Sequence, residues 1–179
     1  RALTPNLDRT PPQLHWAADG GGVYFTCEDK GTRHLHFVSM SGQERQLTQG
    51  NYILSVTSIG KNGVAVGTLV SPSKPVDVVA FDIRNPQPKQ LTAVNDDVLT
   101  DLKLGAVEEI WYTSVDNFKV QGWIVKPPDF DPKKKYPLML SIHGGPHAMY
   151  GVGFNFGWQE HAANGYVVLY TNPRGSTGY

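Results

Sequence analysis

The sequence has few of the features that mark several large classes of protein. Its single cysteine, Cys27, excludes an internal disulfide framework and a zinc site built from cysteines. Its 16 Lys and Arg residues balance 16 Asp and Glu residues, so no net field favours nucleic acid or an anionic membrane surface. No apolar run approaches the roughly 18 residues that span a bilayer. We therefore expect neither a nucleic acid nor a membrane as a partner.

The first residues, "RALTPNLDRT", show none of the features of a secretory signal peptide. Arg1 need not be the native start, and a chain without disulfides is compatible with reducing and oxidising compartments. A cytoplasmic location is favoured, while a periplasmic or secreted one stays open. Because 40% of the 179 residues are hydrophobic, the chain can build a packed core.

The first hundred residues contain a repeat of 44 residues. The motifs "RALT", "RQLT" and "KQLT" place threonines at positions 4, 48 and 92, and Phe37 and Phe81 keep the same interval. The first unit holds four strand-sized runs with "DGGG" and "SG" as turns, and the second repeats this plan with "GKNG" and "RNPQP". A fixed period of this length with several short strands is typical of β-propeller blades.

We predict that residues 1–104 are about two blades of a β-propeller. A β-sandwich whose turns happen to recur is the alternative, because strand spacing alone does not separate the two folds. Radial propellers need at least about four blades, so two blades do not close a ring. We therefore expect this region to be part of something larger.

Two histidines of this region, His34 and His36, share one face of a predicted strand because they lie two residues apart. This spacing suits a metal pair, but no acid or third histidine lies at a suitable ligand spacing. We interpret them as half-exposed strand residues and expect no metal site.

The pattern changes near residue 105. "VEEIWYTSV", "DNF" and "KVQGWIVKPP" predict a hairpin, and the apolar run "PLMLSI" predicts a parallel strand covered on both faces. Phe154, Trp158, His161 and Ala162 recur at helical spacing, with Gly165 placed to end the helix before a second strand, "YVVLYTN". A strand, a glycine loop, a helix and a strand make a βαβ unit, so an α/β region over residues 105–179 should follow the all-β region.

The glycine loop "HGGPH" follows the first parallel strand. At the carboxyl end of such a strand, Gly144 and Gly145 expose backbone N–H groups that suit an anion. A phosphate site would need G-x-G-x-x-G, or a lysine followed by Ser or Thr, after the glycines, and this sequence has neither there. Pro146 also removes one backbone N–H donor. An oxyanion fits better, because α/β-hydrolases carry an HGG-type motif in this loop that supplies one backbone donor.

The stretches "GWIVKPPDFDPKKKYP", "YPLMLSIHGGPH" and "GYVVLYTNPRGSTGY" together resemble the prolyl oligopeptidase family of serine peptidases. The similarity is greatest to the branch of acylaminoacyl peptidases and related dipeptidyl peptidases and oligopeptidases, which carry HGGP. One departure is the hairpin turn, where relatives often have Asp-Gly and this chain has Asp116 and Asn117. The resemblance implies a β-propeller that caps an α/β-hydrolase domain, short peptides as substrates, acyl-enzyme chemistry, and no cofactor or metal. A homo-oligomer stays open.

The resemblance also assigns roles to single residues. It implies that the Gly145 N–H is an oxyanion donor, that Gly144 permits the turn, and that His143 and Pro146 shape the loop. His147 lies either at the substrate entrance or on the surface, with the surface favoured.

The loop after the second parallel strand matches the family as well. It holds Asn172 and Arg174, which we expect near the site, with Arg174 anchoring the loop through a buried ion pair rather than touching substrate. Ser176 is not the nucleophile, because no glycine follows it two residues later as the G-x-S-x-G elbow requires.

G-x-S-x-G occurs nowhere in these 179 residues. In α/β-hydrolases the Ser, Asp and His of the triad all follow the second of the strands seen here. We therefore expect a fragment that carries half an oxyanion hole and is inactive by itself. An esterase with the same HGG loop and a propeller-type scaffold with a degenerate hydrolase domain remain as alternatives.

Overall fold

The structure is a computed structural model that describes residues 1–145 and 147–179. It is a mixed fold dominated by sheet, with 43% of the chain in strands and few helices. Two compact units divide it. The first comprises Arg1–Val94, Gly151–Gly153 and Gly178–Tyr179, and the second comprises Asn95–Tyr150 and Phe154–Thr177.

The first unit is built from eight strands. They are β1 Leu14–Trp16, β2 Gly22–Asp29, β3 Thr32–Ser39, β4 Glu44–Gln46, β5 Ile53–Ile59, β6 Val64–Ser71, β7 Lys74–Asp82 and β8 Asn85–Gln90. Strands β1 to β4 form one antiparallel meander and β5 to β8 form another. The two are joined by a single parallel pair, Arg33 with Ile53. Each 44-residue repeat thus supplies four strands, as the sequence predicted.

The repeated Gln-Leu-Thr motif has the same structural role in both meanders. The side-chain Nε2 of Gln46 donates to the carbonyl oxygen of Thr48 at 2.7 Å, and Gln90 does the same to Thr92 at 2.7 Å. The threonine hydroxyl then accepts the backbone N–H of a neighbouring strand, that of Leu35 in the first repeat and Val78 in the second, at 2.9 Å each. The period of 44 therefore reflects a recurring contact that closes each meander.

Two apolar clusters form the core of this unit. The larger consists of Leu35, Leu54, Val56, Ala65, Val79 and Phe81. The smaller consists of Phe25, Cys27 and Val38. Burial raises the pKa of the Cys27 thiol to about 11, which keeps it protonated and unreactive at neutral pH.

One predicted turn is wrong. The sequence "RNPQP" lies mostly within β8, which begins at Asn85 and includes Pro86 and Pro88. Strand β8 comes last in the order of the described sheet, β1-β2-β3-β5-β6-β7-β8, with β4 beside β3. Proline has no backbone N–H to donate to a neighbouring strand. An edge strand tolerates it, because the outer side of such a strand makes no inter-strand hydrogen bonds.

The second unit contains helix α1 Asp96–Leu99, helix α2 Phe156–Ala163 and a four-stranded sheet. Its strands are β9 Val107–Thr113, β10 Lys119–Val125, β11 Leu138–Ser141 and β12 Val167–Asn172, in the spatial order β11-β12-β10-β9. Strands β9 and β10 form the predicted hairpin, and β11 runs parallel to β12. The strand, loop, helix and strand order predicted for a βαβ unit is confirmed. The assignment of the two regions to a propeller and to a hydrolase domain, and the boundary after residue 104, remain predictions.

The β9–β10 turn shows why Asp-Asn can replace Asp-Gly. Asp116 and Asn117 have φ angles of 55° and 58°, and the Phe118 N–H donates to the carbonyl oxygen of Val115 at 3.1 Å. These are the features of a type I′ turn, in which both central residues are left-handed and Asn or Asp is tolerated.

Helix α2 begins later than its apolar spacing suggested. Asn155 caps it by accepting the Trp158 N–H at 3.0 Å, so Phe154 precedes the helix. The helix ends as predicted, because Gly165 follows with a φ of 87°.

The expected double burial of "PLMLSI" is not observed. Leu138, Leu140 and Ile142 are 61%, 52% and 71% exposed. Leu138 and Leu140 alternate with half-buried neighbours along β11, and Ile142 directly follows the strand, so one face of this edge strand is open. Among the described residues, neither helix has the length and hydropathy of a membrane span.

Candidate functional site

Two loops of the second unit meet at one edge of its sheet. Strands β11 and β12 are parallel neighbours whose ends are in register, with Ser141 opposite Tyr170. The loop after β11, described at residues 142–145 and 147–150, therefore leaves the sheet beside the loop after β12, residues 173–177. Carboxyl ends of adjacent parallel strands are where open α/β sheets bind ligands.

Gly145 has a backbone that other residues would strain to adopt. Its φ is +142°, and a Cβ atom there would lie 2.7 Å from the backbone nitrogen of His147. Gly144 differs, because a Cβ atom would meet nothing within 4 Å and its φ is outside the left-handed region. Both glycines are exposed. The special geometry of the loop thus falls on the residue that we expect to donate to an oxyanion.

His143 connects the two loops. Its Nδ1 lies 2.8 Å from the Gly144 carbonyl oxygen, and its Nε2 lies 3.0 Å from the Ser176 hydroxyl. A carbonyl only accepts, so Nδ1 carries the proton and donates it. The Ser176 hydroxyl also lies 2.7 Å from the carbonyl oxygen of Pro173. In the neutral ring, the one hydroxyl proton therefore serves two acceptors, His143 Nε2 and the Pro173 oxygen.

Asn172, the last residue of β12, is 2% exposed and holds Tyr150 at the far end of the glycine loop. Its Oδ1 accepts the Tyr150 N–H at 2.8 Å, and its Nδ2 donates to the Tyr150 carbonyl oxygen at 2.9 Å. The Thr177 N–H donates to the carbonyl oxygen of Ala148 at 3.0 Å, which adds a further link between the loops.

Tyr150 is the residue of this site that sequence reasoning missed. Its ring meets His143 edge-on, with centroids 5.1 Å apart, and packs edge-on against Trp158 and Tyr170 at 5.3 and 5.5 Å. Its hydroxyl is 2.9 Å from that of Ser141. Burial raises the pKa of Tyr170. No local motif marks Tyr150, because its partners lie on other elements.

Arg174 forms an ion pair, but not the buried one we expected. It donates to Asp116 at 3.2 Å, and the two side chains are 59% and 75% exposed. Its guanidinium also lies 5.1 Å from the centre of the Phe118 ring. Asp116 lies on the exposed β9–β10 turn, so the ion pair is exposed to solvent.

The remaining candidates are placed as follows. His147 is exposed, and Pro146 lies outside the described residues. In the first unit, His34 is buried beside Thr48 and not half-exposed as expected, and His36 pairs with Glu44 at 3.2 Å. Within the described residues, no group of three or more His, Cys, Asp or Glu side chains is arranged to hold a metal ion.

Similar proteins are peptidases. The chain is 33% identical over 165 residues to the uncharacterized peptidase YuxL of Bacillus subtilis, which covers 92% of this chain and 25% of the relative. It is 31% identical over 180 residues to dipeptidyl-peptidase 5 of Porphyromonas gingivalis, covering 99% and 26%. The solved structure of an acylaminoacyl peptidase from Pyrococcus horikoshii matches all of this chain and 27% of its own, with a TM-score of 0.83 and 28% identity.

This chain belongs to the prolyl oligopeptidase family of peptidases. It spans about a quarter of the length of the prolyl oligopeptidase-family relatives that it matches. No family model matches the sequence. The resemblance inferred from the motifs around Gly144 and Asn172 is confirmed, while the roles of individual residues in this family member remain predictions.

Proposed function

We propose that the chain is part of a serine peptidase that hydrolyses short peptides, of the acylaminoacyl or dipeptidyl peptidase type. Support comes from the relatives, whose names give these two activities. The resemblance further implies that a propeller would restrict entry to short peptides. An acyl-enzyme mechanism requires a nucleophile, and these 179 residues contain no G-x-S-x-G elbow. We therefore infer that the serine, histidine and aspartate lie in other parts of the whole protein.

The architecture that fits this function has two parts. The two four-stranded meanders of the first unit would be neighbouring propeller blades, since each repeat closes with the same Gln-Leu-Thr contact. The second unit would be the start of an α/β-hydrolase domain, since β11 and β12 are parallel and joined through α2.

The observation that carries the proposal is the geometry of Gly145. This residue lies at the carboxyl end of a parallel strand, its positive φ suits only glycine, and it is exposed. When a serine attacks a peptide carbonyl, the oxygen becomes an anion, and the Gly145 N–H would hold it together with a second backbone donor. Loss of one such donor typically lowers the rate about a hundred- to a thousand-fold.

The test uses the full-length protein that contains this chain. We expect a fluorophosphonate probe to add once, and we expect hydrolysis of p-nitroanilides of an N-acyl amino acid or of a dipeptide. The 179 residues alone should gain no adduct. Hydrolysis of p-nitrophenyl esters without any amide cleavage would favour the esterase instead. A full-length protein that takes no probe and cleaves neither substrate would contradict the proposal and favour a scaffold.

A further inference from the structure

Several hydrogen bonds join the two loops that follow β11 and β12. Within the described residues, four hydrogen bonds join the loop after β11 to the end of β12 and the loop that follows it: two between Asn172 and the Tyr150 backbone, one between Ser176 and His143, and one between Thr177 and Ala148. Loops at a surface are ordinarily the mobile parts of a fold. Such a set of bonds therefore points to a geometry that the molecule keeps fixed.

The atom that these bonds control is the Gly145 N–H. The Gly144 carbonyl and the Gly145 N–H belong to one planar trans peptide unit, so the two groups point in opposite directions. His143 Nδ1 donates to the Gly144 oxygen at 2.8 Å and thereby resists rotation of that unit. Whatever fixes the His143 ring also fixes the direction of the Gly145 N–H.

Two contacts fix the His143 ring. Its Nε2 lies 3.0 Å from the Ser176 hydroxyl. The Tyr150 ring packs edge-to-face with the His143 ring, with centroids 5.1 Å apart and planes at 82°, and this contact restricts rotation of the His143 ring. Tyr150 is in turn held by the buried Asn172 amide, which binds both its N–H and its carbonyl oxygen. Asn172 thus acts on His143 through Tyr150, whereas Ser176 acts on it directly.

We propose that Asn172 and Ser176 are positioning residues for the Gly144–Gly145 peptide, an inference that rests on the proposed serine peptidase function. Neither residue needs to touch the substrate. Each keeps the His143 ring in the orientation that aims the Gly145 N–H at the developing oxyanion. Without them the peptide unit rotates more freely, and the donor points correctly for a smaller fraction of the time.

This role predicts a loss of kcat rather than of substrate affinity. Oxyanion-hole donors act mainly in the transition state, so a misdirected donor lowers kcat and leaves KM nearly unchanged. Because a mobile donor is worth less than a fixed one but more than none, we expect Asn172→Ala and Ser176→Ala to lower kcat by about 10- to 100-fold.

The chain offers a matched control in Gln159. Its Oε1 accepts the Gly105 N–H at 2.7 Å and its Nε2 donates to the Gly105 oxygen at 3.1 Å, so it is a second buried amide that clasps one residue. It lies on α2, and both of these bonds go to Gly105 rather than to either loop. Gln159→Ala therefore reports the cost of losing a buried amide and its two backbone hydrogen bonds while the four hydrogen bonds that hold the glycine loop are kept.

The experiment compares these variants in the full-length protein. It measures kcat and KM, the affinity for a peptide aldehyde that forms a tetrahedral adduct, and hydrogen–deuterium exchange of the peptide covering residues 142–150. We expect Asn172→Ala and Ser176→Ala to lower kcat, weaken aldehyde binding in proportion and speed exchange in this peptide. Ser176→Thr, which keeps a hydroxyl, should restore most of the activity, and Gln159→Ala should change none of the three.

Several results would overturn the inference. One is a kcat for Asn172→Ala no lower than that for Gln159→Ala, and another is a Ser176→Thr variant as poor as Ser176→Ala. If Asn172→Ala does not fold, Asn172→Asp keeps an acceptor for the Tyr150 N–H and takes its place. A wild-type protein that takes no fluorophosphonate and cleaves no peptide would refute the proposed function, and unchanged exchange in the variants would then refute the positioning role separately.

Discussion

Gly144 and Gly145 are neighbours in sequence, but they should respond very differently to an added Cβ atom. In Gly145→Ala the new atom would lie 2.7 Å from the His147 nitrogen, at a φ of +142° that alanine avoids. In Gly144→Ala the atom enters open space. We expect Gly145→Ala to lower kcat of the full-length protein about a hundred- to a thousand-fold and Gly144→Ala to lower it far less.

The measurement is steady-state kinetics on both variants, with thermal unfolding to confirm that each is folded. Equal losses in the two variants would show that the loop needs glycine for general flexibility and not for a donor at position 145. The resemblance assigned the turn to Gly144 and the donor to Gly145, whereas the backbone that requires glycine is at Gly145. Sequence did not predict this, because φ depends on how the neighbouring loop packs.

A second prediction at the residue scale concerns His34. Burial is the main cause that lowers its pKa, and the neighbouring His36 adds to the effect. Histidine in the unfolded chain titrates near about 6.5. As the pH falls below that value, the unfolded chain binds a proton before the folded one does, so the free energy of unfolding falls until the pH is below the folded pKa.

We therefore expect urea unfolding of the wild type to show lower stability at pH 5 than at pH 7.5. His34→Gln should flatten this dependence, because glutamine does not titrate. His36 keeps part of the slope in that variant, since burial also lowers its pKa. An identical slope for the variant and the wild type would mean that His34 is not the group responsible.

At the scale of the element, the Gln-Leu-Thr motif can be tested through its threonine hydroxyls. Thr48 is 1% exposed, and its hydroxyl accepts the Leu35 N–H. Thr48→Val keeps the shape and leaves that buried donor unsatisfied, which typically costs about 1–3 kcal/mol. Chemical denaturation measures the change in the free energy of unfolding.

Thr4 supplies the control, because it belongs to the same repeat but contributes its carbonyl oxygen, to the Leu7 N–H. Thr4→Val should therefore lower the free energy of unfolding much less than Thr48→Val does. A similar small change in both variants would refute the closing role that we assign to the motif.

The elements also show where prediction from sequence stops. Turn glycines and apolar runs predicted the four strands of each repeat, the β9–β10 hairpin and the parallel pair β11 and β12, because these signals are local. The stretch "RNPQP" misled, since prolines mark turns and edge strands alike and only the sheet order decides. The role of Tyr150 could not be predicted, because Asn172 is 22 residues away in sequence.

At the scale of the whole molecule, the open face of β11 sets how the chain should behave by itself. Leu138 and Leu140, on a strand at the end of its sheet, and Ile142, which directly follows that strand, are all more than half exposed. An exposed apolar edge strand pairs readily with another copy. We expect the 179-residue chain to self-associate and to bind ANS, as measured by analytical ultracentrifugation and fluorescence.

A charge placed on that strand should oppose the association, since Lys is a residue that natural proteins use to protect sheet edges. Leu140→Lys should therefore shift the chain toward monomer and lower ANS fluorescence. Val98→Lys adds the same charge at a 59% exposed site on α1 and should have little effect. If both variants associate as the wild type does, another surface is responsible. If both become monomeric, net charge rather than the β11 edge controls association.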